Sequence, residues 1–336
     1  VGLTMKRRTF IAAGAAVGTL LIATGSARAE PIKFKLGTVD APTSHSGIGA
    51  EAFAKEVATR SNGTMQVDVF HAGALGGIPD QMKNVFTGAQ DMHLLYPEFL
   101  SGLLDEAKPI SAPYLFRDHK HLQTYYKSAL FKPGLDKLTS LGSINLDPDW
   151  TWWIMDPRGL IATRAVLTPA DLKGMKIRLW EDKTAIETWR GLGGDPVVIP
   201  RPQMYLALKQ GLIEAGPETI GIAYDQKDDE VAKYWTRTDE YFQIVNIMMN
   251  QRRYNALAAE QQKVLHDSMQ AAGVVFTTAS ERGFGQKREL ARQQQQVTAI
   301  EPGPGPWRDK GKAVLANLMQ TGIVPKELAE KAAALS

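Results

Sequence analysis

Two arginines and a group of tryptophans are the residues of this chain whose types and spacing could do chemistry. The segment 149–180 holds Trp150, Trp152 and Trp153, then Arg158, then a run from Leu172 through Lys173, Gly174, Met175, Lys176, Ile177, Arg178 and Leu179 to Trp180. A guanidinium grips a carboxylate through two parallel hydrogen bonds, and an indole beside it offers an apolar wall or a face for stacking. If 175–180 is a strand, alternation sets Met175, Ile177 and Leu179 on one face and Lys176, Arg178 and Trp180 on the other. Arg178 then lies beside Trp180 at the strand's carboxyl end, where open α/β sheets place ligand crevices. A plainer reading pairs Arg178 with a neighbouring acid such as Glu181 and leaves the tryptophans in the core. Spacing alone favours the plainer reading.

The remaining reactive side chains form no catalytic or metal pattern. The six histidines include His119 and His121, two residues apart and so on different faces of a helix, with no acidic or thiolate cluster near; solvated or capping roles are expected for the six. Adjacent acids, Asp228 with Asp229 and Glu181 with Asp182, read as solvated loops or helix starts rather than acid–base pairs. The glycine-rich stretch Gly73 to Gly77 lacks the lysine of a phosphate-cradling loop. No metal, no cofactor and no enzymatic activity are expected.

The elements that must position Arg178 alternate between strand and helix. Strands are expected over 32–39, 65–70 and 91–96, ending on Tyr96, with helices between them. The pattern recurs as strand 175–180, helix 184–192, strand 196–199, helix 203–209 and strand 212–215. Weak echoes between the halves, Gln81-Met82 and Gln203-Met204, suggest two similar lobes. From 258 to 297 a long helix is expected, lightly broken at Gly273, Gly283 and Gly285, and closing helices follow a proline-glycine loop at 302–306. The fold class is α/β and two-lobed, each lobe a mostly parallel sheet flanked by helices, joined by hinge segments, with a long C-terminal helix.

Residues 1–29 read as a cleavable export signal: Lys6, Arg7 and Arg8, a short apolar run, then Ala27 and Ala29 before Glu30. The pair Arg7-Arg8 resembles the twin-arginine type. Without those residues the balance is 35 basic to 36 acidic, so there is no basic footprint for nucleic acid. No later stretch is apolar enough to span a membrane, and the absence of cysteine leaves burial as the source of stability. Lobe I is expected over 30–155 plus about 247–285 and lobe II over 156–246 plus about 286–336.

At several points the sequence resembles the periplasmic solute-binding component of tripartite ATP-independent periplasmic (TRAP) transporters, the DctP type. These points are Phe70 with Gly73, Leu75, Gly76 and Gly77; the run Ala112 to Arg117; the run Asp171 to Arg178; and Tyr205 to Leu208 with Gly211 and Glu218. The resemblance implies two lobes that close on a small carboxylate-containing ligand and then dock on membrane permease subunits. It implies that Arg178 makes the defining salt bridge, that Arg158 assists, and that Glu218 and Thr219 stand where the family touches ligand. Two departures bear on the pocket: Thr219 replaces a usual asparagine, and Arg201 replaces a usual apolar residue. Arg201 either adds a second cation or faces solvent beside Pro200 and Pro202, the latter being favoured. Trp153 and Trp180, with Trp150, are candidates to stack on a ligand ring, and Tyr96 is a further candidate contact. A periplasmic monomer is expected. The alternatives are a binding protein of an ABC importer or sensor system, and a secreted enzyme.

Overall fold

Short strands, the inner ones buried on both faces, set this architecture, and helices follow from their caps and apolar stripes. The computed structural model describes Val1 and residues 30–336; the export signal expected over 1–29 therefore lies outside the described residues apart from Val1. Residues Pro31–Ser336 form one compact unit.

One sheet is built from β1 (Ile32–Gly37), β2 (Met65–Phe70), β3 (Met92–Leu95), β4 (Ser143–Asn145) and, from much later in the chain, β10 (Asn246–Asn250), in the order β2-β1-β3-β10-β4. The other holds β5 (Gly159–Ala162), β6 (Lys176–Leu179), β7 (Asp195–Val198), β8 (Ala215–Pro217), β9 (Tyr234–Arg237) and β11 (Thr298–Ile300), in the order β11-β9-β5-β8-β6-β7. Parallel pairing holds for β2-β1-β3 and for β8-β6-β7, as the alternation of strand and helix predicts. Both sheets are nevertheless mixed, because β10 and β5 run antiparallel to their neighbours. Near these two strands the chain crosses between the sheets, and Ile154 and Ile244 form an antiparallel bridge between the crossing segments.

The helices in chain order are α1 (His45–Arg60), α2 (Ile78–Thr87), α3 (His119–Lys127), α4 (Lys132–Ser140), α5 (Lys183–Leu192), α6 (Met204–Lys209), α7 (Ile220–Asp225), α8 (Gln251–Asn255), α9 (Ala259–Gln295), α10 (Pro304–Gln320) and α11 (Lys326–Ala333). Side chains start three of those near the cleft: Ser44 caps α1, Asp182 caps α5 and Thr219 caps α7, each accepting from a backbone N–H of the first turn. The long helix α9 runs unbroken through Gly273, Gly283 and Gly285. Gly273 is instead where the tryptophans dock, since a Cβ there would sit 2.3 Å from the Cβ of Trp152 and 2.8 Å from Cδ1 of Trp153. Leu265, Met269, Ala272 and Phe276 form the buried stripe of α9, which packs against α1, while its later turns meet α7. Helix α10 starts at Pro304, inside the expected loop, as its prolines supply a preset φ for a first turn.

Candidate ligand-binding site

The parallel strands β6, β7 and β8 deliver their carboxyl ends to one rim, and with them Arg178 and Trp180, then Arg201, then Glu218. Because β5 runs the other way, Arg158 at its amino end reaches the same rim. The first sheet answers with the same logic: β1 and β3 lead into Asp40, Tyr96 and Glu98, and the antiparallel β10 is preceded by Tyr241 and Gln243. These residues enclose a cavity of about 50 Å³, room for roughly four water-sized groups. It adjoins a wider cleft of about 510 Å³ that shares Arg178, Trp180 and Arg201 and is walled by the glycine-rich loop and by Pro200, Pro202 and Gln203.

Strand β6 is buried on both faces beyond its exposed first residue, Lys176. Ile177 and Leu179 enter the core, and Arg178 and Trp180 line the cavity. Arg178 is 4 % exposed and donates from Nε to the Ile199 carbonyl at 2.8 Å, yet it forms no ion pair with any described residue. Glu181, the acid that a plain surface pair would use, is exposed and makes no ion pair among the described residues. Burial, then the neighbouring Arg201, pull the Arg178 guanidinium down to about 9 against the weaker attraction of Glu218 and Asp228, so it stays charged at neutral pH with no described acid in ion-pair contact.

The other two guanidinium groups of the cavity are matched. Arg158 contacts Glu240 at 3.4 Å, donates to Gln243 Oε1 at 2.9 Å, and lies over the Tyr241 ring at 4.7 Å and the Trp180 ring at 5.8 Å. Burial opposes its charge, but Tyr241, Glu240, Glu218 and Glu98 outweigh that and hold its protonation up. Arg201 turns into the cavity wall rather than to solvent, its side chain only 9 % exposed: Nε meets Glu218 at 2.8 Å and Nη2 meets Asp228 at 2.5 Å. Burial again opposes its charge, and Asp228 and Glu218 overcome it. For Asp228 burial wins over the pull of Arg201 and lifts its carboxyl to about 6.

Acceptors fill the rest of the wall. Tyr96 donates its hydroxyl to Asp40, Gln243 donates to Glu98, and Tyr241 reaches Glu98 at 3.3 Å. Burial raises the carboxyls of both Asp40 and Glu98. Asp40, Glu98, Tyr241 and Gln243 were not expected from the sequence; each stands just beyond or just before a strand end, Glu98 in a short 3-10 turn over Pro97–Leu100.

Six of the expected residues thus meet at one cavity: Arg178, Arg158, Trp180, Tyr96, Glu218 and Arg201. Two do not line it. Thr219 is fully buried as the cap of α7. Trp153 is core, its ring 5.0 Å from Phe276 and its Nε1 donating to the Met269 carbonyl at 3.0 Å; Trp150 stacks on Tyr126 at 4.3 Å. The adjacent acids are not solvated either, since Asp228, Asp229 and Asp182 are buried, the last held by Ser101 and Ser111. His45, His93 and His121 are also buried, and no group of described residues could hold a metal ion. No described helix is long and apolar enough to cross a membrane.

Two sheets that present their strand ends to one cavity, with a lone unmatched guanidinium inside it, define a solute-binding protein of the two-lobed class. The chain belongs to the bacterial extracellular solute-binding protein family 7, DctP, whose sequence model matches residues 36–321. It is a binding protein and not an enzyme, and the family favours this role over an ABC-importer or sensor component. Among its relatives, the 2,3-diketo-L-gulonate-binding periplasmic protein YiaO of Escherichia coli is 28% identical over 270 residues, 80% of each chain. The ectoine/5-hydroxyectoine-binding periplasmic protein UehA of Ruegeria pomeroyi is 26% identical over 278 residues, 79% of this chain and 77% of that one. In fold, the chain is similar to the sugar acid binding protein DctPAm of Advenella mimigardefordensis in complex with galactonate. The TM-score is 0.82 at 21% identity, covering 90% of this chain and 97% of the other. A TRAP periplasmic solute-binding protein of Shewanella oneidensis with bound succinate gives a TM-score of 0.82 at 18% identity, covering 91% and 99%.

Proposed function

We propose that this chain is the periplasmic binding subunit of a TRAP-type transporter, which captures a small organic acid through a salt bridge from its carboxylate to Arg178. The observation that carries this reading is the buried guanidinium of Arg178, charged and without a counter-ion among the described residues, at the carboxyl end of β6. A buried charge is costly unless paired, so a site that keeps one is built for an incoming anion. Family membership and relatives named for acidic ligands, such as the 2,3-diketo-L-gulonate binder, support it.

In this reading lobe I is 30–155 plus about 247–285 and lobe II is 156–246 plus about 286–336. A ligand that touches both lobes biases the open and closed populations toward the closed form, which a monomeric carrier then presents to the membrane permease. Residues 1–29 serve as the export signal, with Arg7 and Arg8 directing it to the twin-arginine route. The test is a thermal-shift screen of small mono- and dicarboxylates, aromatic acids and sulfonates against the mature protein, repeated with Arg178→Ala. A ligand of the folded form alone must raise its melting temperature. An acid that stabilises both forms equally sinks the role given to Arg178.

A further inference from the structure

The cavity holds three guanidinium groups, but their pairing leaves only one for a ligand. Arg158 is taken up by Glu240 and Gln243, and Arg201 by Glu218 and Asp228. Asp40, Glu98 and Glu218 line the same small space as the remaining cation. Glu218 is fixed at both oxygens, Oε2 accepting from Arg201 and Oε1 from the Thr219 amide at 3.0 Å, so it cannot swing away from an arriving group. Once its first carboxylate is on Arg178, a ligand therefore meets an acceptor-rich wall.

We infer that the ligand is a monocarboxylate whose other end carries hydrogen-bond donors, hydroxyl or ammonium, and that Glu218, locked by Arg201, determines specificity by rejecting a second carboxylate. The inference rests on the reading that Arg178 holds the ligand's carboxylate. Arg201, which on sequence could have served a second acidic group, is instead the counter-ion that holds Glu218 in place. A carboxylate placed against Glu218, the ion-pair partner of Arg201, meets like charge in a buried space, which costs far more than losing a neutral contact. Burial already pushes Asp40 and Glu98 toward their protonated forms, and another anion would add to that strain. A ligand hydroxyl or ammonium instead offers a donor to this wall, where Glu98 Oε2 is buried with no hydrogen-bond partner among the described residues.

Calorimetric titration of the mature protein with acids that differ only at the far end tests this. One set is 4-hydroxybutyrate, 4-aminobutyrate, succinate and butyrate; a longer pair is gluconate and glucarate. The expected result is that a donor-bearing monoacid binds roughly tenfold or more tightly than its diacid and its donor-free partner. Which of the hydroxyl and ammonium members binds identifies the donor. In Glu218→Gln, and in Asp40→Asn as a second variant should the first unfold, the gap between monoacid and diacid is expected to shrink. A diacid that binds as tightly as its monoacid overturns the inference, as does an equal affinity for butyrate, a gap unchanged in both variants, or no binding by any donor-bearing acid. Tight diacid binding that still vanishes in Arg178→Ala would sink this inference alone; binding indifferent to Arg178 would sink the parent reading.

Discussion

Arg178 and Arg201 line one cavity from the ends of adjacent parallel strands, and only Arg201 is ion-paired, to Glu218 at 2.8 Å and to Asp228 at 2.5 Å. Two chemically identical groups a strand apart therefore have opposite roles in stability. One completes a buried network, and the other is a standing cost that a ligand relieves.

Replacing Arg178 with methionine keeps most of its apolar stem and removes the unmatched charge. The melting temperature of the ligand-free protein is expected to stay level or rise, while affinity for a carboxylate ligand falls by about 2–5 kcal/mol, roughly 30-fold or more in Kd. Differential scanning calorimetry and titration calorimetry read the two effects separately. A variant that loses both stability and binding would show that Arg178 is structural.

Arg201→Met should do the reverse. It leaves Glu218 and Asp228 buried with no counter-ion, and breaking a buried pair from one side costs about 3–5 kcal/mol. Urea unfolding is expected to show that loss at neutral pH and a smaller one below about pH 5, where Asp228 takes up a proton and no longer needs the cation. Equal losses at both pH values would mean that Arg201 contributes packing and not charge.

How far the cavity could be read from the sequence differs residue by residue. Arg178 stands out because a short alternating strand and its run of basic residues are local features. The partners of Arg201 lie 17 and 27 residues onward, brought near by the ends of β8 and by the turn after α7, and no local pattern reports such a meeting. Arg201 between two prolines reads as a surface loop until those partners are in place. Asp40, Glu98 and Gln243 were missed for a related reason, since polar residues in the short connections beside strands are the commonest thing a sequence offers. Trp153 misled in the opposite direction: its closeness to Arg158 in sequence suggested a ligand wall, whereas the glycine at 273 on α9 opens a slot that takes the ring into the core. The mixed character of the sheets escaped because β5 is a fully buried run of four residues with no alternation to mark it.

His45 Nε2 lies 3.9 Å from Asp156 Oδ1, and burial drives both toward neutrality, Asp156 up to about 8 and His45 down to about 4. Between about pH 4, where an unfolded aspartate ionises, and its folded value, native Asp156 keeps a proton that the unfolded chain has released. Its contribution to stability is therefore lost as pH rises through that window. His45 acts with the opposite sign: below about pH 6.5 the unfolded chain binds a proton that the folded one refuses, so stability is lost as pH falls. Asp156→Asn removes the first slope only. Its melting temperature relative to the parent protein is expected to climb between about pH 5 and pH 8.5, and a constant difference would show that Asp156 is ionised in the fold.

The close approach behind Glu218 gives a last test. Gly159, the first residue of β5 and the neighbour of Arg158, leaves no room for a side chain: a Cβ there would sit 2.3 Å from Cε2 of Trp235. That ring is fully buried, packs 5.9 Å from Phe284, and donates from Nε1 to the Glu218 carbonyl at 3.0 Å. Gly159→Ala must therefore push a rigid ring against packed neighbours, at about 1–3 kcal/mol for overpacking a core. The displaced ring also pulls on the residue that meets Arg201, so ligand affinity should fall although position 159 does not line the cavity. Unfolding midpoint and Kd measured together check the linkage, and a destabilised variant with unchanged affinity would show that Trp235 supports the fold without positioning Glu218.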